Sequence, residues 1–286
     1  MSNESLDSDT LAEVFAELAL EAGAEIMQVL LGGAKQHIPG LHYKADSSPV
    51  CDADMRAEDV ILEGLSRHAG AYRVVAEEQG ARGENPLISS PDAFILVDPL
   101  DGTKEFVAGN SSFTVNIALI RDGAPVVGVV YAPAQGMLWL AGGSAQVCDV
   151  APGGKLPPAS ERRTIKTRPL PQKGLVAMVS RLHRDPQTDM FLQRLPIGCT
   201  REAGSSLKLC VIASGEADVY PRFSDTMEWD IAAGDAVLRK AGGIVVDGEG
   251  APMVYGKVDK GFLNGPFVAW GDPGAAKRHI LGGSQG

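Results

Sequence analysis

The stretch Asp98-Pro99-Leu100-Asp101-Gly102-Thr103 follows directly on an apolar β-type run, Ala93 to Val97, and constrains the chain more than any other six residues. Proline fixes its own φ and carries no N–H, so the pairing of a central strand cannot continue through Pro99. The strand is expected to end at Asp98 in a sharp bend. Two carboxylates three residues apart on such a bend can converge, and the Leu100 carbonyl can point inward beside them as a further hard oxygen for Mg²⁺. Gly102 permits close backbone approach to an anion, and Thr103 adds a hydroxyl at a predicted helix start. Taken alone, the segment reads first as ordinary turn chemistry, since Asp-Pro and Asp-Gly pairs punctuate many loops.

Three acidic clusters stand at predicted element ends. Glu77-Glu78 closes a short β-type run, Arg73 to Ala76; Asp98 and Asp101 flank the bend; Asp230 comes just ahead of a predicted helix, Ile231 to Ala241, that stops at Gly242-Gly243. Element ends and loops are where a scaffold presents functional groups. If Glu77, Asp98, Asp101 and Asp230 converge, their mutual repulsion demands cations, so convergence would imply bound Mg²⁺. Such a cluster suits attack of water on phosphorus, with two metals roughly 4 Å apart clamping the attacking and leaving oxygens. Singly, Glu77 is an ordinary solvated acid, and Asp230 is a helix-start carboxylate favoured by the macrodipole.

The rest of the pattern is mixed rather than repetitive. Apolar residues from Leu11 to Leu30 at three-to-four spacing predict a long amphipathic helix, capped by Asp9 or Thr10 and closed by Gly32-Gly33. A second helix is expected from Asp52 to about His68. Runs at Phe113 to Ile120, Val126 to Tyr131 and Met137 to Ala141, separated by turn residues, predict an antiparallel meander. The Pro- and Gly-rich stretch from Ala151 to Pro171 marks a loop or a boundary between subdomains. Beyond it come a strand at Leu175 to Val179, a helix at Pro186 to Arg194, a helix capped by Gly204-Ser205-Ser206, a short strand at Val219-Tyr220, and a final strand at Ile244 to Val246. Blocks of this kind predict stacked layers of helix and sheet.

A formal net charge of −10 over 286 residues argues against a binder of nucleic-acid polymers or anionic membranes, so an anionic substrate must be met locally. Four scattered cysteines show neither zinc spacing nor a disulfide framework, and read as free thiols in a reducing compartment. Acidic residues Glu4, Asp7 and Asp9 precede the first apolar stretch, the wrong charge for a secretory signal, and no apolar run approaches the length of a membrane span. The expected compartment is the cytoplasm, with peripheral attachment at the inner face of the membrane left open.

Together, Glu77-Glu78, the Asp98 to Thr103 bend, and Trp229-Asp230 followed by a helix ending Ala241-Gly242-Gly243 resemble the signature of the inositol monophosphatase superfamily of Mg²⁺-dependent, lithium-sensitive phosphatases. Lys104-Glu105-Phe106, the run Gly204 to Cys210, Tyr220-Pro221-Arg222-Phe223, Lys44-Ala45-Asp46 and Ser48-Pro49-Val50 are similar to the CysQ-type 3'(2'),5'-bisphosphate nucleotidase branch. The resemblance implies a layered α-β-α-β-α sandwich of the α+β class, the sugar-phosphatase fold. It implies an N-terminal subdomain, residues 1–150, carrying most metal ligands. Residues 151–286 would form a C-terminal subdomain carrying Asp230 and the nucleotide contacts. Homodimers are common in the superfamily.

By the same resemblance, Glu77, Asp98, the Leu100 carbonyl, Asp101 and Asp230 would hold two or three Mg²⁺ ions. Gly102 and Thr103 would present N–H groups to the scissile phosphate, and the Thr103 hydroxyl and Glu77 would orient the attacking water. Asp54 matches an acidic position that assists that water or a third metal. The implied substrate is adenosine 3',5'-bisphosphate, the by-product of sulfate activation. An inositol or fructose-1,6-bisphosphatase-like sugar phosphatase is the alternative enzyme, and a non-catalytic metal- and nucleotide-binding regulator the alternative of another class. Lys208 and Arg222 are candidates for the second phosphate, against a helix-surface lysine and an ordinary loop arginine. Ser205 is either a plain N-cap or a nucleotide contact. Cys51 stands where the family commonly has Thr, which weakens any hydroxyl role there.

Overall fold

The computed structural model describes residues 6–32, 38–44, 49–86, 88, 93–181 and 185–280. Ala45, Asp46, Ser48 and Gly33, used above in the sequence comparison and the helix boundary, lie outside the described residues. A two-residue ladder joins β1 (His42–Tyr43) to β2 (Pro49–Val50). A seven-stranded sheet follows in chain order: β3 (Arg73–Ala76), β4 (Phe94–Asp101), β5 (Thr114–Arg121), β6 (Ala124–Ala132), β7 (Met137–Ala141), β8 (Ala145–Asp149) and β9 (Arg163–Thr164). Only β3 and β4 are parallel, so β4 to β9 form the expected meander, extended by two strands that carried no sequence signal of their own.

The second sheet contains β10 (Leu175–Ser180), β11 (Ile197–Ala203), β12 (Val219–Arg222), β14 (Ile244–Asp247) and β16 (Phe267–Trp270), in the order β11-β10-β12-β16-β14. A small ladder pairs β13 (Thr226–Met227) with β15 (Leu263–Asn264). The strand at Ile244 is therefore not the last: β15, β16 and the helix α8 (Pro273–Ile280) follow it.

Helices separate and cover the sheets. Strand β4 alternates: Phe94 and Leu96 enter the core shared with the second sheet, while Ile95 and Val97 face the core under α1 (Ser8–Gly32) and α2 (Asp52–His68). With both faces buried, β4 is a nearly continuous apolar run. Helices α6 (Leu207–Ala213) and α7 (Glu228–Lys240) lie between the sheets, and α5 (Pro186–Leu192) and α8 close the far face. The result is the α-β-α-β-α sandwich, with the core around α7 drawing residues from Val75 to Ala269. Among the described residues no helix is long and apolar enough to cross a membrane.

Two boundaries differ from expectation, for local reasons. Asp7, rather than Asp9 or Thr10, caps α1: its carboxylate accepts from the N–H groups of both residues at 3.0 Å. Helix α7 begins at Glu228, so Asp230 lies inside its first turn, where its Oδ2 accepts the Met227 N–H at 2.9 Å.

Helix α7 seats against the first sheet at Gly128. A Cβ there would lie 2.6 Å from the Ala236 Cβ and 2.7 Å from the Ala233 carbonyl oxygen. Overpacking of this kind costs about 1–3 kcal/mol. Gly128→Ala is expected to lower the urea midpoint accordingly, with an unchanged denaturant slope, and a midpoint equal to wild type would contradict the close approach.

Candidate active site

The site is built first by the bend. Strand β4 pairs with β5 as far as Asp98 opposite Asn116, then skips, and resumes with Asp101 opposite Thr114. The strand does not end at Asp98 as expected. Pro99 supplies no N–H, so Pro99 and Leu100 bulge out of the ladder and pairing restarts beyond them. The bulge re-aims two acids. Asp98 is fully buried: its Oδ1 accepts the Leu100 N–H at 3.0 Å, and among the described residues its Oδ2 has no partner. Gly102 takes φ +94°, and a Cβ there would meet the Ser112 carbonyl oxygen at 3.2 Å. Thr103 then opens α4 (Thr103–Val107).

The other carboxylates reach the same place from different elements. Glu77 is the first residue of α3 (Glu77–Ala81), at the end of β3, and receives the Lys44 ammonium at 2.7 Å. That ammonium also meets Glu78 at 2.6 Å. The buried Glu58 carboxylate accepts the Glu78 N–H at 2.8 Å and pairs with Arg82, which fixes the start of α3. Ser206 ties the two acids of the opposite wall together. Its N–H donates to Asp101 Oδ2 at 2.8 Å and its hydroxyl to the Asp230 carbonyl oxygen at 2.5 Å.

Burial pushes the Asp98 carboxyl well above the ordinary carboxylate range, and the charges of Glu77, Asp101 and Asp230 push it further. Asp230 is raised in the same way by burial, then by Asp101 and Glu77. The four acids therefore sense one another. Among the described residues no group of three or more His, Cys, Asp or Glu side chains forms a finished cage for an ion. Glu77 Oε1 faces Lys44, and one oxygen each of Asp101 and Asp230 faces a backbone N–H. The donor set nevertheless suits a hard divalent cation: oxygens only, mutually repelling, with a buried Asp98 oxygen that nothing among the described residues satisfies.

Asp54, in the first turn of α2, joins the bend from below. Its Oδ1 accepts the Thr103 hydroxyl at 3.0 Å, a proton that can turn instead to the Leu100 carbonyl at 3.1 Å. Its Oδ2 accepts the Cys51 N–H at 2.8 Å and the Cys51 thiol at 3.0 Å. The hydroxyl expected at Cys51 is thus replaced by a weaker sulfur donor. Burial pushes this thiol up to about 12, so it keeps its proton.

The substrate-side candidates line one cavity of about 210 Å³ together with Glu77, Asp101, Gly102, Thr103 and Asp230. Two of them differ from the sequence picture. Ser205 is not a cap: it takes φ +44° one residue before the N-cap Ser206, and among the described residues its buried hydroxyl has no partner. Lys208 is no surface lysine but buried, its ammonium donating to the carbonyls of Ser205 at 2.6 Å and Ala203 at 3.3 Å and lying over the Tyr220 ring. Arg222 also lines the cavity, its guanidinium oriented by the Ser224 hydroxyl and the Asp225 carbonyl. Ser206, Lys44 and Glu105 belong to this neighbourhood without having been singled out as site residues. Each lay inside a motif quoted for its likeness alone.

A set of carboxylates gathered around a fully buried aspartate at a strand bulge, facing a cation-flanked cavity in a five-layer α/β sandwich, defines the metal-dependent phosphatase class. The chain belongs to the inositol monophosphatase family, whose profile matches residues 7–272. It is 41% identical over 254 residues to the 3'(2'),5'-bisphosphate nucleotidase CysQ of Shigella flexneri, covering 88% of this chain and 96% of that one. The crystal structure of CysQ from Bacteroides thetaiotaomicron superposes with a TM-score of 0.75 at 32% identity, covering 91% of this chain and 97% of that one. Inositol monophosphatase 2 of Rattus norvegicus is 30% identical over 254 residues, covering 86% and 82% of the two chains.

Burial of Lys208 has a consequence for stability. Desolvation, its largest influence, lowers its pKa from 10.5 to about 7. Between those values the unfolded chain holds a proton that the folded protein does not, so this group makes stability rise with pH from about 7 to 10.5. Urea titrations at pH 7 and 9.5 should show a smaller rise for Lys208→Met than for wild type; equal rises would contradict the lowered pKa of this buried amine.

Proposed function

We propose that this protein removes the 3'-phosphate of adenosine 3',5'-bisphosphate, giving adenosine monophosphate and phosphate, with two or three Mg²⁺ ions held by Glu77, Asp98, the Leu100 carbonyl, Asp101 and Asp230. The observation that carries this reading is the unpartnered Oδ2 of fully buried Asp98, whose pKa burial and the neighbouring carboxylates push up, beside a cavity bearing Arg222. The 41% identity to a CysQ nucleotidase, against 30% to an inositol monophosphatase over the same length, favours a bisphosphorylated nucleotide over an inositol phosphate.

When bound, Mg²⁺ supplies a water of lowered pKa and neutralises charge on the phosphate. The remaining work falls to the chain. The Gly102 and Thr103 N–H groups, presented at a left-handed turn into α4, face the phosphate oxygens. The Thr103 hydroxyl donates to Asp54 and so turns its lone pairs toward the attacking water. The proton released from that water as it bonds to phosphorus passes through the hydroxyl to Asp54, whose pKa burial has already raised, and the departing 3'-oxygen takes up a proton from solvent. Arg222, oriented by Ser224 and Asp225, holds the second phosphate. Lys208 acts behind it by fixing the Ser205 carbonyl. A regulator without turnover would have no use for the Thr103 to Asp54 hydrogen bond.

Phosphate release is expected from adenosine 3',5'-bisphosphate well above that from inositol 1-phosphate, and only with Mg²⁺ present. Asp98→Asn should lower kcat by about 10³-fold, several kcal/mol of lost charge stabilisation, with the fold intact by circular dichroism. Faster turnover of inositol 1-phosphate would reassign the substrate, and an active Asp98→Asn enzyme would remove the metal cluster from the mechanism.

A further inference from the structure

Glu105 is buried at the second position after Thr103, on the short helix α4, and lines the cavity that holds the scissile phosphate in the reading above. Its side chain runs under the turn at Gly204: a Cβ on that glycine would lie 3.2 Å from the Glu105 Cγ. One carboxylate oxygen, Oε2, accepts from the Asn110 amide at 2.5 Å and meets the Arg181 guanidinium at 3.5 Å. The other, Oε1, is buried and has no partner among the described residues. Leaving a buried charged oxygen unsatisfied costs more than an ordinary hydrogen bond returns, so such an atom in a cavity wall points to a donor that arrives with the ligand.

The neighbouring cations do not supply that donor. Lys208 directs its ammonium to the carbonyls of Ala203 and Ser205, and Arg222 directs its guanidinium to Ser224 and Asp225. A phosphate against Glu105 would meet like charge, which leaves a neutral donor. The Ser205 hydroxyl, also buried, unpartnered and lining the same cavity, is a second polar atom available to the same ligand.

Resting on the nucleotide reading above, we propose that Glu105 is a specificity-determining residue whose free oxygen accepts a hydrogen bond from the ribose hydroxyl adjacent to the scissile ester. A ribonucleoside 3',5'-bisphosphate and its 2',5' isomer each keep one free hydroxyl beside the phosphate that leaves, on the same face of the ring. One acceptor can therefore serve both isomers. A 2'-deoxy substrate lacks the donor and leaves the carboxylate unsatisfied.

The test compares kcat/KM for adenosine 3',5'-bisphosphate and its 2'-deoxy analogue, in wild type, Glu105→Ala and Glu105→Gln. The wild type should prefer the ribonucleotide by about 10- to 100-fold, the range for a hydrogen bond to a charged group. In Glu105→Ala the ratio of the two substrates should collapse to within about threefold of one, a change that a merely structural defect does not produce. Glu105→Gln, which keeps an acceptor oxygen, should retain more of the preference. A wild-type ratio near one, or an alanine variant that slows both substrates by the same factor, overturns the proposal and assigns the free oxygen to a bound water. Should Glu105→Ala fail to fold, the wild-type ratio and the glutamine variant decide. Turnover of inositol 1-phosphate with neither nucleotide hydrolysed would refute the substrate reading itself, and the subsite with it.

Discussion

Carboxylates gathered away from water repel one another and resist ionisation, and the region around Asp98 concentrates four of them. The fold is organised to hold that arrangement. Asp98 and Asp101 come from a strand bulge, Glu77 from the end of the neighbouring parallel strand, and Asp230 from the first turn of the helix sandwiched between the sheets. Each is pinned by a backbone N–H, a cation or a hydroxyl, so the side chains are oriented before any ligand arrives. Of these four, Asp98 alone keeps a buried oxygen without a partner among the described residues. An electrostatic cost built into the folded protein is thereby available for release when a divalent cation enters.

The layers explain how acids so far apart in sequence are brought together. Helix α7 is buried on nearly every side, which is why it lacks a strong amphipathic stripe and why its first turn can face the site while its body packs on both sheets. A buried polar knot holds the following loop to it. Glu228 accepts the N–H groups of Gly256 and Lys257, and Asp235 accepts the Tyr255 hydroxyl and pairs with Arg239. These groups lie outside the cavity lining, yet they set where Asp230 stands.

Much of this was legible in the chain. The bend was visible because proline and glycine have strong local rules, and the five layers followed from the order of the blocks together with family likeness. What escaped notice was set by tertiary pairing. The strand continues past Pro99 because Thr114 is available to re-pair Asp101, which no local rule foretells. Asp230 enters its helix because its own carboxylate caps the Met227 N–H. Strand β11, exposed along most of its length, has no apolar alternation to betray it. Ser205 and Ser206 look alike in sequence, but the backbone turns one hydroxyl to Asp230 and leaves the other unbound. Lys208 sits in a cluster that reads as a helix surface until the ring of Tyr220 covers it.

Ser206 is a small residue with a large mechanical position. Its N–H holds an acid carried by the first sheet, and its hydroxyl holds the backbone of an acid carried by α7. One residue thus joins the first sheet to the helix between the sheets at the wall of the cavity. The spacing between Asp101 and Asp230 is therefore fixed through a single side chain and its own backbone, and a shift of β4 against α7 is felt at both acids together.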